Sequence, residues 1–100
     1  MAKIGDLEVH FDEYQVVGRG NPVQLTTKEF EIVAFLATNP GKVFTRSQIQ
    51  EYIWGDADAK DTNSITVFVR KIREKIEENP SEPKYLLTVQ RVGYKMADAL

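Results

Sequence analysis

The sequence predicts an α+β domain in which short strands come first, three helices follow and a β-hairpin ends the chain. Three observations predict it. Apolar residues alternate with polar ones in the first quarter, apolar residues recur at helical spacing through the middle, and two short apolar runs flank a turn near the C-terminus. One hundred residues, 42% of them hydrophobic and 28% charged, suit a single domain over 1–100 with one modest core.

The N-terminal quarter predicts short antiparallel strands separated by turns. Its alternating apolar residues are expected on one face of the sheet. They are Ile4, Leu7, Val9 and Phe11. A turn at Asp12-Glu13, a strand over 14–17, a turn over 18–22 and a strand over 23–25 are expected to follow.

Two helices with recognisable N-caps come next. Thr26 and Glu29 form a capping box, in which each side chain accepts a hydrogen bond from the other's backbone N–H, and the residues 39–41 end this helix. The second helix opens at the residues 45–48 and stops at Gly55. Its expected inner face consists of Ile49, Tyr52 and Ile53.

A third helix is predicted over 62–78, capped by Asp61 or Thr62. On a helical wheel it has one narrow apolar stripe, with Phe68 at its margin, and this stripe belongs to the core. The stripe consists of Ile65, Val69, Ile72 and Ile76.

The outward face of this third helix carries an unusual mixture of side chains. Its members are Asn63, Val67, Arg70 and Lys71, flanked by Ser64 and Thr66. The major groove of DNA uses such a set directly, since cations contact guanine edges or phosphates, an amide contacts adenine and an aliphatic group contacts a thymine methyl. A charged, solvated surface with one stray valine is the alternative interpretation, because single exposed apolar residues are common.

A β-hairpin is predicted at the C-terminus, with strands over 85–89 and 94–96 around the turn 90–93. Its tip carries Arg91, with Lys95 nearby. A basic hairpin that follows such a helix suits the adjacent minor groove or the DNA backbone.

The net charge of −2 conceals an uneven distribution. Residues 60–76 hold five basic and two acidic side chains, whereas the first 31 residues hold three basic and six acidic ones. Residues 84–95 add three basic side chains and no acidic one. A basic C-terminal half on an acidic support favours a nucleic-acid partner, and two solvated faces of opposite charge are the simpler alternative.

Composition disfavours several classes of function. The chain has no cysteine and one histidine, His10, which alternation places on the wet face of a strand. We therefore expect no metal, no cofactor, no catalytic residue and no enzyme. No apolar run is long enough to cross a membrane and no secretory leader is present, so we expect a cytoplasmic protein without a membrane partner.

Three stretches resemble the OmpR/PhoB family of winged-helix effector domains, over nearly the whole chain from Ile4 to Met96. Residues 25–30 and 40–46 are similar to the family's first helix and its exit, and the residues 53–55 to the end of its positioning helix. The third stretch is similar to the recognition helix and wing. It comprises Val67, the run 69–73, Thr88, Val89 and the residues 92–94.

This resemblance implies a winged helix-turn-helix fold, with an N-terminal four-stranded antiparallel sheet, three helices and a C-terminal hairpin wing. It implies sequence-specific binding of double-stranded DNA as the output domain of a two-component response regulator. The recognition helix 62–78 would enter the major groove, and the wing 85–96 would lie on the adjacent minor groove or backbone. An upstream receiver domain absent from this chain, a sensor kinase, dimers on direct-repeat sites and RNA polymerase at loop 55–61 are the implied partners.

The resemblance also implies roles for single residues. Trp54 would donate its indole N–H to a phosphate, with a buried hinge tryptophan as the alternative. Arg70 and Arg73 would bind phosphates, with pairing to an acid of the same domain as the alternative for Arg73, and Lys71 would reach base edges. Val67 would meet a thymine methyl, Tyr94 would contact a phosphate, and Gly93 would serve the backbone geometry of the hairpin. The candidate DNA-contacting residues are Trp54, Asn63, Ser64, Thr66, Val67, Arg70, Lys71, Arg73, Arg91 and Tyr94.

The chain departs from the family pattern at three places. Thr66 and Phe68 stand where relatives usually carry Asp and His, which removes one phosphate contact. Relatives read Thr-Val-Arg-Gly in the wing, whereas here the arginine is displaced by one position to Arg91, which reverses the face it points from. Because relatives have glycine at position 91, strain is expected there.

An alternative function is a winged-helix module whose basic face docks an acidic protein.

Overall fold

The computed structural model describes residues 1–55 and 63–98. The order of elements is the expected one: a four-stranded sheet, three helices and a two-stranded hairpin. The sheet consists of β1 (Ala2–Ile4), β2 (Leu7–His10), β3 (Gln15–Gly18) and β4 (Asn21–Val23). The remaining elements are α1 (Thr27–Ala37), α2 (Arg46–Trp54), α3 (Asn63–Ile76), β5 (Leu86–Val89) and β6 (Gly93–Met96).

The N-terminal sheet pairs its strands in sequence order, each antiparallel to the next. Leu7 and Val9 of β2 are fully buried, and His10 lies on the other face, 3.0 Å from Glu8, as alternation predicts. The turn at Gly5 and Asp6 between β1 and β2 was not predicted. The apolar alternation on either side conceals it, although Gly5 has the positive φ of 58° that tight turns require.

A capping box opens α1, as the sequence predicts, and a second one opens α2 at the predicted start of that helix. The Thr26 hydroxyl accepts from the Glu29 N–H at 3.3 Å, and the Glu29 carboxylate accepts from the Thr26 N–H at 2.9 Å. At α2 the Thr45 hydroxyl accepts from the Gln48 N–H at 3.0 Å, and the Gln48 side-chain oxygen accepts from the Thr45 N–H at 2.8 Å. These local bonds set where each helix begins.

Glu29 also joins α1 to α3. Its side chain is 2% exposed, and its carboxylate accepts a hydrogen bond from Lys75 Nζ at 2.7 Å. Burial alone would raise the pKa of this carboxyl, but the hydrogen bonds from Lys75 and Thr26 and the charge of Lys75 outweigh burial. The pKa is therefore lowered from its ordinary value of 4.5, and the group stays ionised.

The core lies between the sheet, α1 and the inner faces of α2 and α3. The predicted stripe of α3 is buried, at 0 to 1% exposure for Ile65, Val69, Ile72 and Ile76. Tyr52 was wrongly expected on the inner face of α2: it is 67% exposed, with its ring stacked 4.2 Å from Phe35. The buried residues of α2 are Ile49 and Gln50, so its inner face is rotated away from Tyr52.

The predicted limits of the third helix differ from the structure. The helix ends at Ile76 rather than at residue 78, and the predicted caps Asp61 and Thr62 lie outside the described residues. Glu77 follows the helix with 5% exposure. Its carboxylate accepts backbone hydrogen bonds from Lys84, Tyr85 and Leu86 at 2.7 to 3.0 Å, which holds the start of β5 against the end of α3.

The C-terminal hairpin docks on the segment that precedes α2. The backbones of Phe44 and Tyr94 exchange two hydrogen bonds of 2.9 Å. A Cβ atom at Gly93 would lie 2.0 Å from the Phe44 carbonyl oxygen, so glycine is needed for this close approach. Glycine was expected here for the backbone geometry of the hairpin; because Gly93 is not among the residues with positive φ, the close approach to Phe44 is what requires it. Within the described residues, no helix is long and apolar enough to cross a membrane.

Candidate nucleic-acid interface

The outward face of α3 presents the mixture of side chains that the sequence predicts. Val67 is 43% exposed although it is apolar, and Thr66, Arg70 and Lys71 around it are exposed. Asn63 is exposed in the first turn of the helix, and Ser64 is half-buried. This face lies opposite the buried stripe, so it belongs to the surface and does not hold the fold together.

Arg70 and Lys71 supply the charge of this face. In the part of the chain that the structure describes, neither side chain makes an ion pair or a side-chain hydrogen bond. Two adjacent cations without an internal counterion repel each other and attract an anion from outside. Asn63 and Ser64, by contrast, do make polar contacts of their own.

Arg46 adds a cation that the sequence analysis did not select. It is exposed in the first turn of α2, and its guanidinium donates to the Thr66 hydroxyl at 3.4 Å. It also lines a shallow hollow of about 230 Å³ whose other wall is formed by the hairpin residues 88–94. One sequence feature points to Arg46. The helix dipole favours an anion in the first turn of a helix, so a cation at this position is not explained by the stability of the helix.

The tip of the hairpin carries Arg91 in a left-handed conformation. Its φ is 66°, in a turn closed by the hydrogen bond from Val92 N–H to the Val89 carbonyl at 2.9 Å. The strain expected at this position is therefore present. Arg91 and Val92 are both exposed, with Val92 at 51%. The tip thus projects one cation and one apolar side chain.

Arg73 does not point outward as its predicted phosphate contact requires. Its Nε and one terminal nitrogen donate to the Leu86 carbonyl at 3.0 and 2.9 Å, and the same terminal nitrogen donates to the Thr88 hydroxyl at 2.7 Å. The guanidinium lies 5.8 Å from the ring centre of Tyr94, which is 8% exposed. Burial lowers the pKa of Arg73, and the electrostatic interactions with Tyr94 and Glu77, which act to raise this pKa, only partly offset burial.

Trp54 lies at the end of α2, beside the first half of α3. It is 40% exposed, so the alternative of a buried hinge tryptophan is wrong. Its ring lies 5.4 Å from that of Phe68. Lys28 Nζ lies 5.4 Å from the centre of the same ring and donates to the Ile53 carbonyl at 3.2 Å. These contacts hold an exposed indole at the edge of the α3 face.

Three elements therefore meet around one basic surface, which we call the reading surface. It consists of the first turn of α2 with Arg46, the outward face of α3, and the hairpin tip with Arg91. In residues 1–55 and 63–98, no group of three or more histidines or carboxylates is placed to hold a metal ion. The exposed cations, hydroxyl and valine of the reading surface are groups that proteins use to contact phosphates and base edges.

Comparison with known proteins identifies the family. A family model described as the C-terminal domain of transcriptional regulatory proteins matches residues 20–96. The chain belongs to this family. Its OmpR/PhoB members are the winged-helix, DNA-binding output domains of response regulators. We keep the names recognition helix for α3 and wing for the hairpin β5–β6.

Individual members of the family resemble the chain closely. It is 40% identical over 96 residues to the uncharacterised transcriptional regulatory protein YcbL of Bacillus subtilis, covering 96% of the chain and 42% of YcbL. The response regulator DrrB of Thermotoga maritima, an OmpR/PhoB homologue, has a TM-score of 0.87 at 35% identity, over 96% of this chain and 43% of DrrB. The DNA-binding domain of RstA from Klebsiella pneumoniae was solved in complex with the RstA box. It has a TM-score of 0.84 at 30% identity, over 95% of this chain and 94% of the RstA chain.

Proposed function

We propose that this winged-helix domain binds specific sequences of double-stranded DNA through its reading surface, with α3 in the major groove and the wing on the adjacent minor groove or backbone. The observation that carries the proposal is the outward face of α3. It places an exposed valine beside two cations that have no internal partner among the described residues. The likeness to the RstA domain, which was solved on its DNA box, supports the same mode of binding.

The proposed contacts divide into base contacts and phosphate contacts. Lys71, Val67 and Asn63 project from the face that enters the groove, so we assign them to base edges and a thymine methyl. Arg70, and the indole N–H of Trp54 at the end of α2, are assigned to phosphates. Arg46 is also assigned to phosphates, because it lies where α2, α3 and the wing meet. Ser64 and Thr66, which flank the same face, are assigned to phosphates or sugars.

Partners of the whole protein belong to the same proposal. The chain spans about 42% of the length of the curated relatives it matches, and we assign the remainder to a receiver domain controlled by a sensor kinase. Dimers on direct-repeat sites follow from that assignment. The proposed RNA polymerase contact at loop 55–61 lies outside the described residues except for Gly55.

The proposal is tested first by selecting bound sites from random duplex DNA. The enriched site is expected to bind at least a thousandfold more tightly than random duplex, with affinity that falls steeply with salt because phosphates release counterions. A domain that enriches no sequence, or binds duplex DNA without dependence on salt, would instead support docking to an acidic protein.

The assignment of Lys71 is tested on single-base variants of the selected site. Lys71→Ala is expected to weaken binding by about 1–3 kcal/mol and to relax the preference at one base pair, because its ammonium contacts a base edge. Affinities for the panel of DNA variants give the measurement. A loss of the same size for every variant would move Lys71 from the bases to the backbone.

A further inference from the structure

The recognition helix and the wing are joined through one side chain, Arg73. It leaves α3 one turn before the end of the helix and reaches β5, 13 residues further along the chain, with hydrogen bonds to the Leu86 carbonyl and the Thr88 hydroxyl. Its guanidinium lies 5.8 Å from the ring centre of Tyr94 on β6. Arg73 therefore touches both strands of the wing from the helix.

The wing depends on such contacts for its orientation. It has two strands of four residues each, and an isolated two-stranded hairpin is marginally stable in water. The Glu77 carboxylate holds its base at Leu86, and the backbone hydrogen bonds between Phe44 and Tyr94 hold β6 at the level of Thr88, the residue opposite Tyr94. On β5, Arg73 donates to the Thr88 hydroxyl, so α3 holds one strand of the wing at the level at which the segment before α2 holds the other.

The geometry of the guanidinium explains why an arginine is suited to this task. Its planar fork sends two parallel N–H groups, at 3.0 and 2.9 Å, to one carbonyl oxygen and keeps a third bond of 2.7 Å for the hydroxyl. A lysine has one nitrogen and cannot reproduce this set. The donors used in these bonds are not free for a phosphate.

We propose that Arg73 is a positioning residue that sets the angle between the recognition helix and the wing, so that both reach one DNA site together. The inference rests on the proposed function as far as DNA is concerned. Arg73 acts by holding the wing in place, while Arg91 at its tip makes the contact with DNA. Without Arg73, the wing keeps its hairpin but no longer contributes to binding.

The first test measures the angle without DNA. Because the chain has no cysteine, Glu74→Cys on α3 and Gln90→Cys at the wing tip accept one spin label each, and pulsed electron resonance gives the distance between them. Arg73→Gln and Arg73→Lys are both expected to broaden the distance distribution, with helix content unchanged. Thr88→Val, which removes one acceptor, is expected to broaden it less and covers the case in which an Arg73 variant unfolds. A folded Arg73→Gln domain with the parent distribution would overturn the proposal.

The second test is a double-mutant cycle on the selected DNA site. Arg91→Ala is expected to lower affinity about fivefold to thirtyfold in the parent domain but less than about twofold in the Arg73→Gln domain, since an unanchored wing no longer places residue 91. Additive losses, together with an unchanged spin-label distance, would show that Arg73 binds phosphate directly. If the parent binds no DNA, the proposed function fails, while the spin-label result still decides the role of Arg73.

Discussion

Arg91 and Gly93 lie two residues apart in the wing, and each shows a different constraint on residue type. Arg91 occupies a left-handed conformation, φ 66°, that favours glycine, yet the residue is arginine. Gly93 has an ordinary backbone conformation, yet no larger residue fits against the Phe44 carbonyl. The first residue is tolerated at the expense of strain, and the second is required by packing.

Two substitutions at position 91 separate strain from DNA contact. Arg91→Gly is expected to raise the free energy of unfolding by about 1 kcal/mol, because glycine relieves the left-handed strain. Arg91→Ala keeps the strain and removes the cation. Both variants are expected to lose about 1–2 kcal/mol of DNA affinity, as for a charge-assisted hydrogen bond. Thermal melts and titrations of one operator fragment measure the two quantities, and normal affinity in Arg91→Ala would end the proposal of a wing contact.

The constraint at Gly93 predicts a large loss of stability. In Gly93→Ala the added Cβ meets the Phe44 carbonyl oxygen at 2.0 Å, so the hairpin must separate from the segment before α2. We expect a loss of about 3 kcal/mol or more in urea unfolding. The matched control is Gly18→Ala, where the nearest atoms lie at 3.5 and 3.6 Å and φ is ordinary. It should change stability by less than about 1 kcal/mol, and similar losses in both variants would contradict the steric explanation.

At the scale of elements, carboxylates without a part in the reading surface hold the helices and strands together. The Glu29 carboxylate, which belongs to the capping box of α1, also accepts a hydrogen bond from Lys75 of α3. The Glu77 carboxylate accepts hydrogen bonds from three backbone N–H groups at and just before the start of β5. Both groups are almost fully buried, at 2% and 5% exposure, and both accept hydrogen bonds from other elements. Buried carboxylates with such partners fix the relative positions of α1, α3 and β5.

The lowered pKa of Glu29 predicts a stability that depends on pH. A carboxyl whose folded pKa lies below its unfolded value stabilises the fold above the unfolded pKa, and this contribution is lost as the pH falls through the folded pKa. Glu29→Gln is therefore expected to destabilise the domain by about 1–2 kcal/mol at pH 7 and by less as the pH falls below about 4. Urea unfolding at both pH values measures this difference.

An exposed acid provides the control for Glu29. Glu78, whose side chain is 71% exposed, lies 4.0 Å from Lys84 at the surface. Glu78→Gln is expected to change the free energy of unfolding by less than about 0.5 kcal/mol at either pH, because surface ion pairs contribute little. A loss in Glu29→Gln that is the same at both pH values would show that its effect is steric.

At the scale of the whole molecule, an acidic domain carries a basic surface. The net charge is −2, and the first 31 residues, with three basic and six acidic side chains, carry a net charge of −3, whereas Arg46, Arg70, Lys71 and Arg91 meet on the reading surface. At physiological salt, charges separated by more than about 8 Å are largely screened from each other. The local arrangement of charge therefore governs binding to DNA.

Two variants with the same change in net charge test this conclusion. Arg70→Ala on α3 and Lys3→Ala on β1 each remove one exposed cation. Arg70→Ala is expected to lower affinity for every DNA sequence and to reduce the salt slope by about one unit, since one phosphate contact is lost. Lys3→Ala is expected to change neither affinity nor slope appreciably. Equal losses in both variants would mean that net charge governs binding.

The sequence by itself determined the order of elements, the capping box of α1, the start of α2, the buried stripe of α3 and the set of side chains on its outward face. These features depend on residues within a few positions of one another, so local spacing is enough to predict them. It could not place Arg73 on the wing, Arg46 beside Thr66, or the Phe44 carbonyl against Gly93. Those contacts join segments 13 to 49 residues apart in the sequence. Only the packing of the helices and the hairpin on one core brings such segments together, and the tertiary structure therefore decided which cations face outward and which hold the fold.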